Sequence, residues 1–279
     1  MYDSIKDAAP YKKYGYAALA ARIPNTMLTI NAMKIVGDGS NRTETAAQTV
    51  PYLGGSSKGQ PNYSAEQFKT MVAEVEAQGW PVSIHCNGDL TLDLALDAIE
   101  AAYGAFPATG VDRIEHSTIT RPEQIERMAA LGVQPSFLMN HVYFYGAAYR
   151  DQLFGPERAA RMDPAADCVK LGPPFTIHTD APCSNLGTLQ LVQAAVTRKC
   201  GIDGSIVGPE QAVSLTDALK AVTIHAAGQI GMADDLGSLE SGKLADLAIL
   251  EKDSFTVDPE AIMEIKASET WVGGKKMFG

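Results

Sequence analysis

Three short apolar segments of this chain each end in a side chain that can bind a metal ion or move a proton. They are the segments 82–85, 113–116 and 175–180, which end at His85, His116 and Asp180. Imidazole nitrogens and carboxylate oxygens are the usual protein ligands of Zn²⁺ besides thiolates. A cation held by them lowers the pKa of a bound water to about 7, which makes hydroxide available for hydrolysis.

A lysine lies in the same setting in a fourth segment, residues 33–36, where Lys34 precedes the sequence Gly37-Asp38-Gly39. An unmodified lysine is a cation and repels a metal ion, so it would be a poor metal ligand. The alternative to a metal-binding role for Lys34 is an ion pair with Asp38 or Glu115. For Asp180, the alternative to binding a metal or moving a proton is to cap the helix that follows.

Short apolar runs alternate with longer helical patterns from about residue 12 to residue 230, which is typical of β-α units around a parallel sheet. In such folds the reactive side chains project from the C-terminal ends of the strands. We therefore expect His85, His116, Asp180 and Lys34 to share one rim. The expected parallel strands are 33–36, 81–84, 112–115, 133–138 and 174–177.

Further polar and aromatic side chains follow the fourth and fifth strands. His141, Tyr143 and Tyr145 could bind substrate or form a core aromatic cluster. His178 precedes Asp180 by two residues and so shares its strand face, which indicates a supporting role. Cys86 and Cys183 flank site residues and could be soft ligands or nucleophiles, although a free cysteine usually behaves as a small buried apolar residue.

Composition excludes several classes of protein. The net charge of −10 argues against binding nucleic acid or an anionic membrane surface. No apolar run approaches the roughly 20 residues that span a bilayer, and the N-terminus has no signal-peptide pattern, so we expect a cytoplasmic location. A longer N-terminus could carry a leader. The four cysteines lack CxxC spacing, and no Gly-rich phosphate loop is present.

Taken together, these motifs resemble the amidohydrolase superfamily, specifically its amidohydrolase-3 (YtcJ-like) group. The resemblance rests on Lys34, His85, the Arg113–His116 segment and Asp180 in this order, and it extends through residues 237–250 and 271–274. It implies a (β/α)₈ TIM-type barrel with a small C-terminal β-sandwich element. It also implies one or two divalent ions, expected to be Zn²⁺, bound by Lys34 (as a carboxylated lysine), His85, His116 and Asp180, with Asp180 as the general base.

Two features depart from that pattern. The family's strand-1 His-x-His pair does not occur among the five histidines, and five strands are recognisable instead of eight. We therefore expect strands 4 to 8 of a barrel in residues 1–232 and the β-sandwich element in residues 233–279. An open barrel edge predicts a homo-oligomer or a partner chain that covers it.

The sequence thus leaves two functions open. The first is a metal-dependent hydrolase that cleaves C–N bonds of an amide-like small molecule. The second is a catalytically incomplete fragment that folds or oligomerises and binds at most one metal.

Overall fold

The computed structural model describes residues 31–106 and 110–279 of the chain. Internal contacts divide it into two compact units, one ending at Ser136 and the other beginning at Phe137. A five-stranded sheet has the strands in chain order, and a separate sheet has three strands. The strands of the larger sheet are β1 (Met33–Val36), β2 (Val82–Cys86), β3 (Arg113–His116), β4 (Gln134–Phe137) and β5 (Thr176–Ile177).

In the first unit, β1 pairs with β2 and β2 pairs with β3, both in parallel. The register aligns Ile35 with Ile84 and Ile84 with Ile114, and all three side chains are fully buried. Because side chains alternate along a strand, the residues beside these isoleucines point to the opposite face of the sheet. The expected apolar strands and the α/β class are therefore found.

The helices of the first unit are α1 (Ala65–Glu76), α2 (Asp89–Tyr103) and α3 (Pro122–Leu131). The spacing of Ser64 and Gln67 predicts a capping box, and helix α1 begins with it: Ser64 Oγ accepts from Gln67 N and Gln67 Oε1 accepts from Ser64 N. The spacing of Thr120 and Glu123 predicts a helix start at Thr120, but the N-cap of α3 is Arg121, which pairs with Gln124. The Thr120 hydroxyl is instead engaged with the carbonyl of Ser117.

The second unit is mostly helical. Its short helices are α4 (Gly146–Ala148), which lies between the π-helical turns His141–Tyr145 and Tyr149–Leu153, α5 (Pro156–Ala159), α6 (Ala165–Leu171), α7 (Thr188–Thr197), α8 (Leu215–Ala221) and α9 (Ile224–Gln229). The apolar pattern that follows Ser214 predicts one helix running to about Ile230. In the structure it is divided into α8 and α9, because Thr223 has φ of −127° and ψ of −97°, outside the helical region.

The smaller sheet is antiparallel and consists of β6 (Leu247–Leu250), β7 (Ala267–Val272) and β8 (Lys275–Phe278). The sequence predicts that Gly273-Gly274 breaks the last strand, and this pair joins β7 to β8, with φ of 57° at Gly273 and 76° at Gly274. Two successive left-handed residues suit a tight hairpin. Across the described ranges, no helix combines the length and apolar character needed to cross a membrane. The domain boundary at residue 232 remains a prediction.

Candidate metal and substrate site

His85 and His116 are brought together at the C-terminal ends of β2 and β3. Their ring centroids are 4.4 Å apart and the rings meet edge to face at 71°. The strand register alone pairs His116 with Cys86 rather than His85. At His116 the backbone has φ of 72°, so the extended alternation of β3 ends there. In a regular strand pair with this register, the His85 and His116 side chains would point to opposite faces of the sheet. The left-handed backbone at His116 accompanies the contact between the two rings.

The ring of His85 is oriented by the loop that follows β1. His85 Nε2 lies 2.9 Å from the carbonyl oxygen of Gly39, which also accepts a hydrogen bond from Asn87 Nδ2 at 2.9 Å. With Nε2 as the donor to that carbonyl, the lone pair of the neutral ring is on Nδ1. Such a contact on the far ring nitrogen is how proteins hold a metal-binding imidazole in place.

Asp38 is the anchor of this arrangement. Its buried carboxylate accepts hydrogen bonds from the backbone N–H groups of Asn87 (3.0 Å), Gly88 (2.9 Å) and Ala47 (3.1 Å). It also lies 3.4 Å from His85 Nε2. Sequence reasoning considered Asp38 only as an ion-pair partner of Lys34. The sequence signal for the role of Asp38 is the pair of glycines that flank it. At Gly37 the chain passes close to β2, since an added Cβ would lie 2.7 Å from the carbonyl oxygen of His85.

Lys34 lies half-buried on β1, in register with Ser83 of β2. Ser83 is in turn aligned with Arg113 of β3, so these side chains form a polar layer on one face of the sheet. In that layer Glu115 accepts hydrogen bonds from Ser83 Oγ and from Arg113 Nε at 3.1 Å. Glu115 therefore links two neighbouring strands through its side chain.

The long polar stretch after β1 is held by its own buried side chains. Tyr52 donates its hydroxyl to Ala46 O (2.9 Å) and Asn41 Oδ1 (3.0 Å), and the last oxygen also accepts from Gln48 Nε2. A cleft of about 500 Å³ opens in this loop and includes Gly39 in its lining. Gly39 is thus shared between the lining of this cleft and the carbonyl contact to His85 Nε2.

Asn87, Gly88 and Asp89 directly follow β2, where their residue types predict a cap for the next helix. Gly88 is the N-cap of α2 and makes no side-chain capping bond. Asp89 instead accepts from Thr49 N at 2.8 Å and from Arg121 Nη1 at 2.6 Å. This segment therefore joins the β1 loop to α2 and α3.

Asp180 belongs to the second unit, where it follows β5 with φ of 52° and an exposed side chain. Gly187 is the N-cap of α7, the next helix, so Asp180 does not cap it. Ser184 ties this loop back, since its hydroxyl contacts the carbonyl of Thr179 and accepts from Asn140 Nδ2 at 2.7 Å. His178 is half-buried, and its backbone N–H donates to Phe137 O at 2.9 Å.

The three residues predicted to orient substrate separate into two groups in the second unit. His141 is buried, with the rings of Tyr149 and Tyr145 at centroid distances of 5.5 Å and 6.2 Å. Tyr143 instead packs on the backbone of Gly201, where an added Cβ would lie 2.4 Å from its ring. His141 and Tyr145 thus lie together, and Tyr143 has a packing contact of its own.

The cysteines beside the site differ in exposure. Cys86 is buried, and burial together with the nearby Asp38 carboxylate raises the pKa of its thiol well above the usual range, although Lys34 opposes this. Since the thiolate is the reactive form, Cys86 fits a packing role. Cys183 is exposed.

The donor set of the first unit fits part of a metal site. Two imidazoles side by side suit a borderline cation such as Zn²⁺, and one of them is oriented through its far nitrogen. Among residues 31–106 and 110–279, no group of three or more His, Cys, Asp or Glu is arranged to hold a metal ion. The pair therefore needs ligands in addition to itself.

Comparison with known proteins gives consistent matches. Residues 8–278 match the amidohydrolase family. The chain is 26% identical over 212 residues to N-substituted formamide deformylase of Arthrobacter pascens, covering 76% of this chain and 39% of that protein. It is 31% identical over 194 residues to imidazolonepropionase of Aromatoleum aromaticum, covering 69% and 40%.

Among solved structures, the chain resembles an uncharacterized metal-dependent hydrolase from Pyrococcus horikoshii with a TM-score of 0.76 and 28% identity. That match covers 92% of this chain and 50% of the other. The chain thus spans half or less of the length of these relatives.

Proposed function

The chain belongs to the amidohydrolase family, and from that premise we propose that it forms part of a metal-dependent hydrolase that cleaves a C–N bond of an amide-like small molecule. The observation that carries this proposal is the His85–His116 pair, with centroids 4.4 Å apart at the ends of adjacent parallel strands. The names of the relatives, a deformylase and a metal-dependent hydrolase, support the same reaction class.

In this proposal His85 and His116 hold a divalent cation, expected to be Zn²⁺. When bound, the ion would act as a Lewis acid and make hydroxide available near neutral pH. His85 would contribute its Nδ1 lone pair, because Nε2 faces the Gly39 carbonyl. Lys34 becomes an anionic ligand only if its amine reacts with CO₂ to give a carbamate and a proton.

Asp180 is proposed as the proton carrier of the reaction. Its carboxylate would accept the proton of the attacking water and pass it to the leaving amine nitrogen. The position of Asp180 in the loop that follows β5 supports this role, since reactive side chains of β-α folds follow the strands. His141, Tyr145, Tyr143 and His178 remain proposed contacts of the substrate or of Asp180.

One observation favours a second proposal, in which this chain binds at most one metal and does not turn over substrate. In the described ranges the metal-ligand types do not form a group of three, whereas catalytic zinc sites use three protein ligands. Under this proposal, further ligands would come from a second copy or from a partner chain.

The experiment is an assay of formate release from an N-substituted formamide by the full chain. The first proposal predicts turnover that a chelator abolishes and added Zn²⁺ restores. His85→Asn should lower kcat/KM by at least about 100-fold, since loss of even indirect metal contacts costs about 10- to 100-fold. His225→Gln, in helix α9 of the second unit, serves as the matched control.

Turnover that resists both chelation and His85→Asn would overturn the first proposal. Zn²⁺ binding without turnover of any amide tested would support the second.

A further inference from the structure

Asp163 is a buried carboxylate residue of the second unit. Its exposed fraction is 0%, and φ at this residue is 45°. Within the described part of the chain, neither carboxylate oxygen has a hydrogen-bond partner. An uncompensated buried carboxylate is costly, so groups nearby must balance its charge.

Arg198 supplies the opposite charge without binding the carboxylate. It is fully buried at the end of α7, and its guanidinium donates to Val207 O (3.0 Å), Asp163 O (3.3 Å) and Met162 O. Burial lowers the pKa of Arg198 to about 10, so it stays a cation at neutral pH. Its N–H groups are directed at backbone carbonyls, which leaves the carboxylate oxygens of Asp163 to another donor.

His141 is placed to be that donor. Its Nδ1 lies 3.6 Å from Asp163 Oδ1, slightly beyond hydrogen-bond length. Both side chains are nearly inaccessible to solvent, and the tyrosine rings at positions 145 and 149 lie beside the imidazole. The positive charge of Arg198 cancels the negative charge of Asp163. With a neutral His141 ring that carries its proton on Nδ1, the three side chains together have no net charge.

We infer that Asp163 is a positioning residue that keeps the proton of His141 on Nδ1, so that Nε2 accepts a hydrogen bond from an N–H group of the substrate. This inference rests on the proposed function, which assigns His141 to substrate binding. In a Ser-His-Asp triad, the aspartate likewise holds the imidazole of the histidine in one tautomer.

The consequence concerns substrate class. An acceptor nitrogen at this position favours secondary amides, whose nitrogen carries one hydrogen, over N-alkylated tertiary amides, which have none. A site built to pair a donor rejects analogues that lack it, because its buried polar atom is then unpaired.

The test is two-dimensional ¹H–¹⁵N NMR of the histidine rings in the full chain, with the His141 signal assigned through His141→Gln. The wild-type ring at pH 8 should carry its proton on Nδ1. Asp163→Asn should reduce that tautomer, because an amide lacks the charge and can turn its NH₂ toward the ring. The matched control is Asp167→Asn in α6, since Asp167 pairs with Gln211.

A wild-type ring protonated on Nε2, or a tautomer unchanged by Asp163→Asn, would overturn the inference. The first of these results needs only the wild-type spectrum, so it can overturn the inference even if the variant fails to fold. Because the tautomer is read without substrate, a correct tautomer in a chain without amidase activity would count against the proposed function alone.

Discussion

Asp38 Oδ1 lies 3.4 Å from His85 Nε2, although the two residues are 47 positions apart and lie at the ends of different strands. The same carboxylate binds three backbone N–H groups, two of them in the residues directly after β2. Asp38 thus fixes the backbone that carries His85 as well as the surroundings of its ring. The orientation of one proposed metal ligand depends on a carboxylate from the neighbouring strand end.

Asp38→Asn should therefore destabilise the protein. The amide keeps one acceptor oxygen and turns an N–H group toward backbone donors, so we expect a loss of about 2 kcal/mol, typical of hydrogen bonds to a buried charged group. Urea unfolding of the full chain measures it. The control is Asp97→Asn, an exposed carboxylate paired with Arg127, which should cost less than about 1 kcal/mol. Equal effects of the two substitutions would contradict the anchoring role.

Gly88→Ala should be severely destabilising for a steric reason. An added Cβ would lie 1.9 Å from the carbonyl oxygen of Ala47, which belongs to the β1 loop, and both backbones are fixed by Asp38. We expect a loss of about 3 kcal/mol or more, within the range of strongly overpacked sites. Gly104→Ala at the end of α2 is the control, since its nearest contact would be 3.4 Å. Similar melting temperatures for both variants would show that the loop is not packed as described.

Glu76 and Asp112 are two neighbouring buried carboxyl groups, and they predict how the free energy of unfolding varies with pH. Asp112 accepts hydrogen bonds from Val82 N (2.8 Å) and from the hydroxyl of Tyr103 (2.7 Å). Burial, and next the adjacent Asp112, raise the pKa of Glu76 to about 8. The folded state therefore holds a proton that the unfolded chain releases near its ordinary pKa of about 4.5.

The sign of the effect follows from this proton. Where the folded state binds more protons, the free energy of unfolding falls as pH rises. Stability from Glu76 should be complete below about pH 4.5 and lost as pH rises to about 8. Glu76→Gln should flatten this decline, measured as melting temperature from pH 5 to 9. Glu74→Gln, an exposed position on the same helix, should leave it unchanged. A decline equally steep in the Glu76→Gln variant would contradict the assignment.

The sequence revealed those parts of the fold that depend on local signals. The capping box at Ser64 and the break at Gly273-Gly274 were predicted because their signals lie within a few residues. The start of α3 was missed because Thr120, a good capping type, bonds to Ser117 O instead. Strand ends carrying His85 and His116 predicted their proximity, since parallel strands present the same end to one rim.

Other site residues depend on contacts that form only when the chain folds. Asp38 and Asp163 have their roles only through partners distant in sequence: the backbone at Asn87 and Gly88 for one, and His141 and Arg198 for the other. A pattern of residue types cannot predict which backbone N–H groups a carboxylate will meet after folding. The left-handed turn at His116 is equally invisible in a run that reads as a regular strand.

The most direct test of the account is Zn²⁺ binding by the full chain, measured by titration calorimetry for wild type, His85→Asn and His116→Asn, with His225→Gln as control. We predict that the wild type binds Zn²⁺, that each site variant loses at least about 100-fold in affinity, and that the control matches the wild type. A wild type that does not bind Zn²⁺, or site variants that bind it as tightly as the control, would contradict the claim that this histidine pair is a metal site.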